Sequence, residues 1–262
     1  MLHAVIVGID DYKDPLIPPL SHAQADAETL AGLLRRRVRQ EDLSVRLLVN
    51  DQATNRNITA AIGEDLHRAV ERDDVVLLYF ACHGSPERRA PKDRRSHYLI
   101  PNDTEYGRIF TTGIDMERDI ARWLERLEDA KLVVLFLDAC FSGVAGGRSF
   151  VGPVLAANPT LDKYLERTEA ISIRGLKLGR GRVIICAADS DQVALEDTAL
   201  GHGVFTYHLL ESLQRDRGAA TTVDLVDLYK EVEQRVRLAT NNAQEPVLSV
   251  IQGAHPRLPS LG

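Results

Sequence analysis

The chain has 262 residues, of which 44% are apolar and 27% charged, and a formal net charge of −6. This is the mix of a soluble globular chain with one substantial core, and it lacks the basic excess that a nucleic-acid surface needs to neutralise phosphates. No run approaches the ~18 apolar residues of a membrane span, and the first apolar run meets Asp10 and Asp11 too early for a signal sequence. The three cysteines, Cys82, Cys140 and Cys186, suit neither a disulfide framework nor a zinc site. The expected setting is therefore the reducing cytoplasm, with neither a membrane nor a nucleic acid as partner.

In chain order, residues 3–8 read as a buried strand, followed by a helix over 21–39 with Ala27, Leu30, Ala31, Leu33 and Leu34 at helical spacing. A second strand covers 45–49. Thr54 or Asn57 caps a helix running to about residue 71. A third strand, residues 75–80, is rich in β-branched and aromatic residues. Residues 85–95 (SPERRAPKDRR) read as a loop, and 97–100 with 109–111 as a short hairpin. A helix at 115–129 carries Ile120, Trp123, Leu124 and Leu127 on one face; strands follow at 132–137 and 182–186. The long, glycine-flanked stretch 143–181 reads as a functional connection. Helices at 203–215 and 223–239 and a last strand at 247–251 complete the chain. Apolar strands alternating with helices predict a mainly parallel central sheet covered on both faces, a three-layer α/β/α fold in the α/β class.

In such sheets, sites form beyond the carboxyl ends of the strands. The third strand ends in Ala81-Cys82-His83-Gly84 and the fourth in Asp138-Ala139-Cys140-Phe141-Ser142-Gly143. As neighbours about 4.8 Å apart, these strands would bring an imidazole and a thiol together. A thiol attacks as thiolate, and a nearby imidazole can take its proton and return one to a leaving amine. The backbone N–H groups of Gly84 and Cys140 are then candidates for holding an oxyanion. Each residue alone also has a structural reading. Cysteine is among the most buried residue types, a loop histidine is commonly satisfied in place, and Asp138 could cap a turn. Cys82 and Cys186 read as packing residues, and His202 as belonging to a Gly-His-Gly turn.

Residues 79–84 (YFACHG) and 138–143 (DACFSG) resemble the caspase and metacaspase superfamily. His83 precedes Cys140 by 57 residues, close to the family's spacing of roughly 50. Residues 5–9 with 20–30, 98–103, 187–192 and 201–206 are similar to further family stretches. The resemblance implies a caspase-like fold in one peptidase domain over 1–262: a large-subunit-like region (1–147), a linker (148–181) and a small-subunit-like region (182–262). It implies a Cys-His dyad of Cys140 and His83. It also implies an acidic S1 pocket from Asp26 and Asp138 and hence cleavage of protein or peptide substrates after Arg or Lys. Asp189, Ser190 and Asp191 are candidates for the groove beyond S1. Arg148, Arg174, Lys177, Arg180 and Arg182 are candidate processing sites.

The chain departs from the metacaspase pattern at Phe141, where His is usual, and at Ala81, where Ser is usual. Gly146 and Gly147 stand where an acidic calcium-binding cluster is expected. Asp103 and Glu105 are the remaining candidate calcium ligands, but the expectation is that no metal or other cofactor is needed. By analogy the resemblance implies a bacterial effector protease in defence or cell death, controlled by processing or by a separate activator protein. The alternatives are a catalytically silent caspase-fold scaffold and a Cys-His enzyme acting on small amides.

Overall fold

The computed structural model describes residues 1–88, 95–140, 147–150, 181–189, 192–215, 222–251 and 256–259. Its strands are β1 (Leu2–Gly8), β2 (Leu43–Val49), β3 (Val75–Ala81), β4 (Gly84–Arg88), β5 (Arg95–Leu99), β6 (Ile114–Asp115), β7 (Leu132–Asp138), β8 (Arg182–Cys186), β9 (Glu196–Asp197), β10 (His202–Gly203), β11 (Thr222–Asp224), β12 (Val247–Ile251) and β13 (Arg257–Pro259). The α-helices are α1 (Ala23–Arg37), α2 (Asn55–Ala60), α3 (His67–Ala69), α4 (Ile109–Thr112), α5 (Arg118–Arg126), α6 (Val204–Gln214) and α7 (Leu225–Ala239).

Six strands form the central sheet in the order β12-β8-β7-β3-β1-β2. All its pairs are parallel except the edge pair β12–β8. Side chains alternate between the faces, so each strand feeds two cores. Ile6, Tyr79 and Phe136 face α1, α6 and α7, with Leu30, Phe205 and Val232 among them. Val7, Phe80 and Leu135 face the other side, with Ile58 and Ile62 before β3 and Trp123 of α5. Strands from both regions, 1–147 and 182–262, thus share one sheet, with helices on both faces, as the apolar runs predict.

The register places the candidate site. Gly8 pairs with Ala81, and Ala81 with Asp138, so β1, β3 and β7 end in one row. Helix α1 begins above that row. Its first N–H groups, those of Ala23 and Gln24, donate to the Asp10 carboxylate at 2.7 and 3.1 Å, satisfying donors a helix start otherwise leaves open. Gly8 permits the approach: a Cβ there would lie 2.4 Å from the Ala23 carbonyl oxygen.

Three local expectations need correction. Residues 97–100 do not pair with 109–111. Instead β5 lies between β4 and β6 in a small antiparallel sheet, and 109–112 is one helical turn, with Thr112 donating to Arg108 O at 2.8 Å. The expected loop 85–95 carries strand structure at both ends, with 89–94 outside the described residues. The helix expected from 54 to 71 does start at Thr54, whose hydroxyl accepts from Asn57 N. It is broken by a π-helical segment, Ala61–Leu66, before α3.

Candidate active site

His83 follows β3, and Cys140 follows β7 by two residues. Both are buried, at 1% exposure, and the three cysteines are thiols outside any disulfide. Around them lies a residue of the chain itself. Arg148 is wholly buried, with its guanidinium among three carboxylates. It bonds Asp26 through Nη2, lies 2.8 Å from Asp138 through Nη1 and reaches Glu196 at 3.3 Å. Nη1 also donates to Asp138 O at 3.2 Å. Asp26 and Asp138 are themselves wholly buried, which an ionic group tolerates only when paired.

Each carboxylate is held from behind. Asp138 accepts from Thr206 Oγ1, which in turn accepts from Tyr79 OH at 2.6 Å. Asp26, on the first turn of α1, accepts from His202 Nδ1 at 2.7 Å and from Gly203 N at 3.1 Å. Glu196 accepts from the N–H groups of Ser21 and His22 at 3.0 and 3.1 Å. Gly203 forms the wall against the guanidinium; a Cβ there would lie 2.7 Å from Arg148 Nη2 and 2.8 Å from Asp138 Oδ2. Burial first, then the neighbouring Asp26, pushes the Asp138 carboxyl up to about 6, against the pull of Arg148. Burial pulls the Arg148 pKa down, but Asp138 and Asp26 outweigh it and hold it well above the ordinary arginine value.

The backbone of the same residue is equally engaged. Arg148 O accepts from Gly84 N at 3.0 Å and from Cys140 N at 3.3 Å. Arg148 N donates to Ala194 O at 3.1 Å. Ser149 then bridges to Gly84 in parallel sense, and the Phe150 ring stands edge-on to His83 with centroids 5.3 Å apart. Before it, Gly147 has φ +50°, where a Cβ would lie 2.4 Å from Ala194 O.

His83 is oriented by two groups the sequence does not single out. Its N–H donates to Tyr12 OH at 2.9 Å. Its Nε2 lies 2.8 Å from Pro18 O; a carbonyl only accepts, so Nε2 carries the proton and Nδ1 the lone pair. Burial pushes the imidazole down to about 4, partly offset by the Pro18 and Arg148 carbonyls. It is therefore neutral at pH 7 while Arg148 is seated.

Of the sequence-predicted residues, His83, Gly84, Cys140, Asp26, Asp138 and Arg148 converge here. Asp189 follows β8 half-buried, its carbonyl accepting from Gln192 N at 3.1 Å. Ser190, Asp191, Arg174, Lys177 and Arg180 lie outside the described residues. Arg182, another candidate processing site, is not on the surface. It is buried in β8, between β7 and β12, and donates to Ala130 O at 3.1 Å, so cutting after it would require extracting a central strand. Of the candidate calcium ligands, Asp103 accepts from Asn55 N, and Glu105 pairs with Arg108 at 3.5 Å. Among the described residues no group of three or more His, Cys, Asp or Glu has metal-binding geometry, and no helix is long and apolar enough to cross a membrane. Glu196, Tyr12 and Pro18 join the site without any motif announcing them, whereas Thr206 closes the family-like stretch 201–206.

A family model for the caspase domain matches residues 1–252. Among solved structures, protein GSU0716 from Geobacter sulfurreducens superposes with a TM-score of 0.69 at 17% identity, covering 97% of this chain and 95% of that one. Caspase-1 from Spodoptera frugiperda superposes with a TM-score of 0.60 at 16% identity, covering 95% of this chain and 86% of that one. At such identities the likeness is one of fold. No curated protein matches the chain.

Proposed function

The chain belongs to the caspase-domain family, and from that premise we propose that it is a cysteine endopeptidase with Cys140 as nucleophile and His83 as base, cutting after Arg or Lys. One observation carries the reading. Arg148 lies as a P1 residue would: side chain among three carboxylates, carbonyl oxygen under the N–H groups of Gly84 and Cys140. Two donors at that oxygen would stabilise it as negative charge develops. The acidic pocket favours a cation and would repel an acidic P1. Arg fits better than Lys, because its planar fork reaches Asp26 and Asp138 through separate nitrogens.

His83 Nδ1 takes the Cys140 proton, and the thiolate sulfur bonds to the Arg148 carbonyl carbon. The C=O pair moves onto oxygen, under the two N–H groups. Collapse re-forms C=O and breaks the C–N bond to Ser149, whose nitrogen leaves with the proton from His83. Water then gives a proton to His83 and attacks the thioester. The C–S bond breaks, the thiol recovers its proton, and Arg148 is left as a carboxylate. The same steps apply to a substrate in trans once the segment has left the groove, either by this cut or drawn out by an activator protein.

The test is turnover of a fluorogenic Arg-P1 peptide by wild type, Cys140→Ala and Asp138→Asn, with the chain's own fragments followed on a gel. The expected result is activity lost in Cys140→Ala and lowered at least about tenfold in Asp138→Asn, which removes one charge from a buried ion pair. Fragments ending at Arg148 should be absent from Cys140→Ala. A wild-type chain that stays intact and inert, even after limited proteolysis, would mark a caspase-fold binding module instead.

A further inference from the structure

Phe150 does not join either large core. It packs into a separate apolar cluster with Ile17, Tyr98, Ile100 and Ile109, fringed by Tyr12 and Tyr106, and is 4% exposed. Its ring lies 5.9 Å from that of Tyr106 and 5.3 Å from His83. The cluster draws on the loop after β1, on β5 and the residue that follows it, and on α4. It is tied to the site because Ile100 N donates to His83 O at 3.0 Å. Ser149, between Arg148 and Phe150, bridges to Gly84. The register from the bond after Arg148 is therefore fixed: the first following residue pairs along the start of β4, and the second drops into the apolar cluster.

Resting on the peptidase reading above, we propose that this cluster is a substrate subsite for a large aromatic side chain at the second position after the cut, P2′. The site would select protein segments of the form Arg-x-aromatic. Two features make it a subsite rather than ordinary core. Its occupant enters from the segment that carries the candidate scissile bond. Its walls come from elements that precede that bond in the chain, so a product leaving after the cut would empty it.

The test compares kcat/KM for quenched peptides ending Arg-Ser-Phe and Arg-Ser-Ala, beside an Arg amide with no residues after the cut. The Phe peptide should be favoured roughly tenfold, the lower end of what burying one aromatic side chain supplies. Ile109→Ala should narrow that ratio. Turnover of the amide with a Phe/Ala ratio within about twofold, below the energy of a single buried contact, would overturn the subsite and leave the peptidase reading standing. If neither the amide nor the peptides turn over, the peptidase reading fails and the subsite falls with it, and trypsin then reports on the seating of Phe150 itself. In Cys140→Ala protein, Phe150→Ala should then expose the bond after Arg148 to trypsin roughly tenfold faster by the same burial term. Equal trypsin rates would overturn that seating.

Discussion

Replacing Arg148 by Met on a Cys140→Ala background, which prevents any cutting, tests the electrostatics of the pocket directly. The substitution keeps most of the volume and leaves Asp26 and Asp138 buried without their cation. Removing one member of a buried ion pair costs about 3–5 kcal/mol. Protonation of Asp138 limits the loss, because its carboxyl already stands at about 6 with Arg148 present. Its folded pKa lies above the unfolded value, so its protonated form contributes stability at low pH that is lost as pH rises through the folded pKa. Without Arg148 that pKa moves higher still, and the loss continues into a range where the parent is already flat. Each further unit is about 1.4 kcal/mol, so the deficit of the variant should grow by at least that amount between pH 5.5 and pH 8. Urea unfolding, followed through Trp123, which stacks on Phe80 inside the fold, measures it. A deficit equal at the two pH values, or none at either, would refute the picture of a cation held by competing buried carboxylates.

Gly203→Ala places a methyl 2.7 Å from the Arg148 Nη2 position, so KM for an Arg-P1 peptide should rise about tenfold or more, the penalty of steric overpacking in a formed pocket. An unchanged KM would place the guanidinium elsewhere. Gly147→Ala meets both a positive φ and Ala194 O, and at about 1–3 kcal/mol of strain it should unseat the segment and open the bond after Arg148 to trypsin in Cys140→Ala protein; unchanged resistance would count against the seating. The imidazole of His83 is depressed to about 4, so the unfolded chain binds its proton first, and stability should fall as pH drops from about 6.5 to 4, by up to about 3 kcal/mol. In His83→Gln this limb should flatten, and urea midpoints at pH 4.5 and 7 would show whether it does.

The legible residues of the site are those that sit at strand ends. Apolar runs mark β3 and β7, and once the sheet is parallel, His83, Cys140 and Asp138 fall at one edge. Asp26 is legible through the family pattern, and its burial follows from the close packing of α1 on Gly8. Glu196 is not, because it arrives from a two-residue strand whose pairing with His202 and Gly203 is set by tertiary contacts rather than by periodicity. Pro18 and Tyr12 act on His83 through a carbonyl and a hydroxyl in a loop, groups that carry no spacing signal. The misplaced hairpin has a similar cause: residues 109–111 are too short a run to separate a strand from a helical turn. Arg148 is readable as a basic residue in the long connection after β7, but its seat depends on Gly147 adopting a left-handed turn beside Ala194.

Because residues 147–150 fill the groove from within the same molecule, any incoming chain competes with a tethered rival. A short tether presents its ligand at an effective concentration of roughly millimolar or more, so a micromolar substrate of equal fit would occupy the groove about one time in a thousand. On the proposed reading, an encounter that severs the tethered bond would also be unimolecular. Its rate is the same in a crowded cell and a dilute tube, and each molecule can make it once. On the proposed peptidase reading, such a chain would behave as a timer that starts when the groove becomes competent.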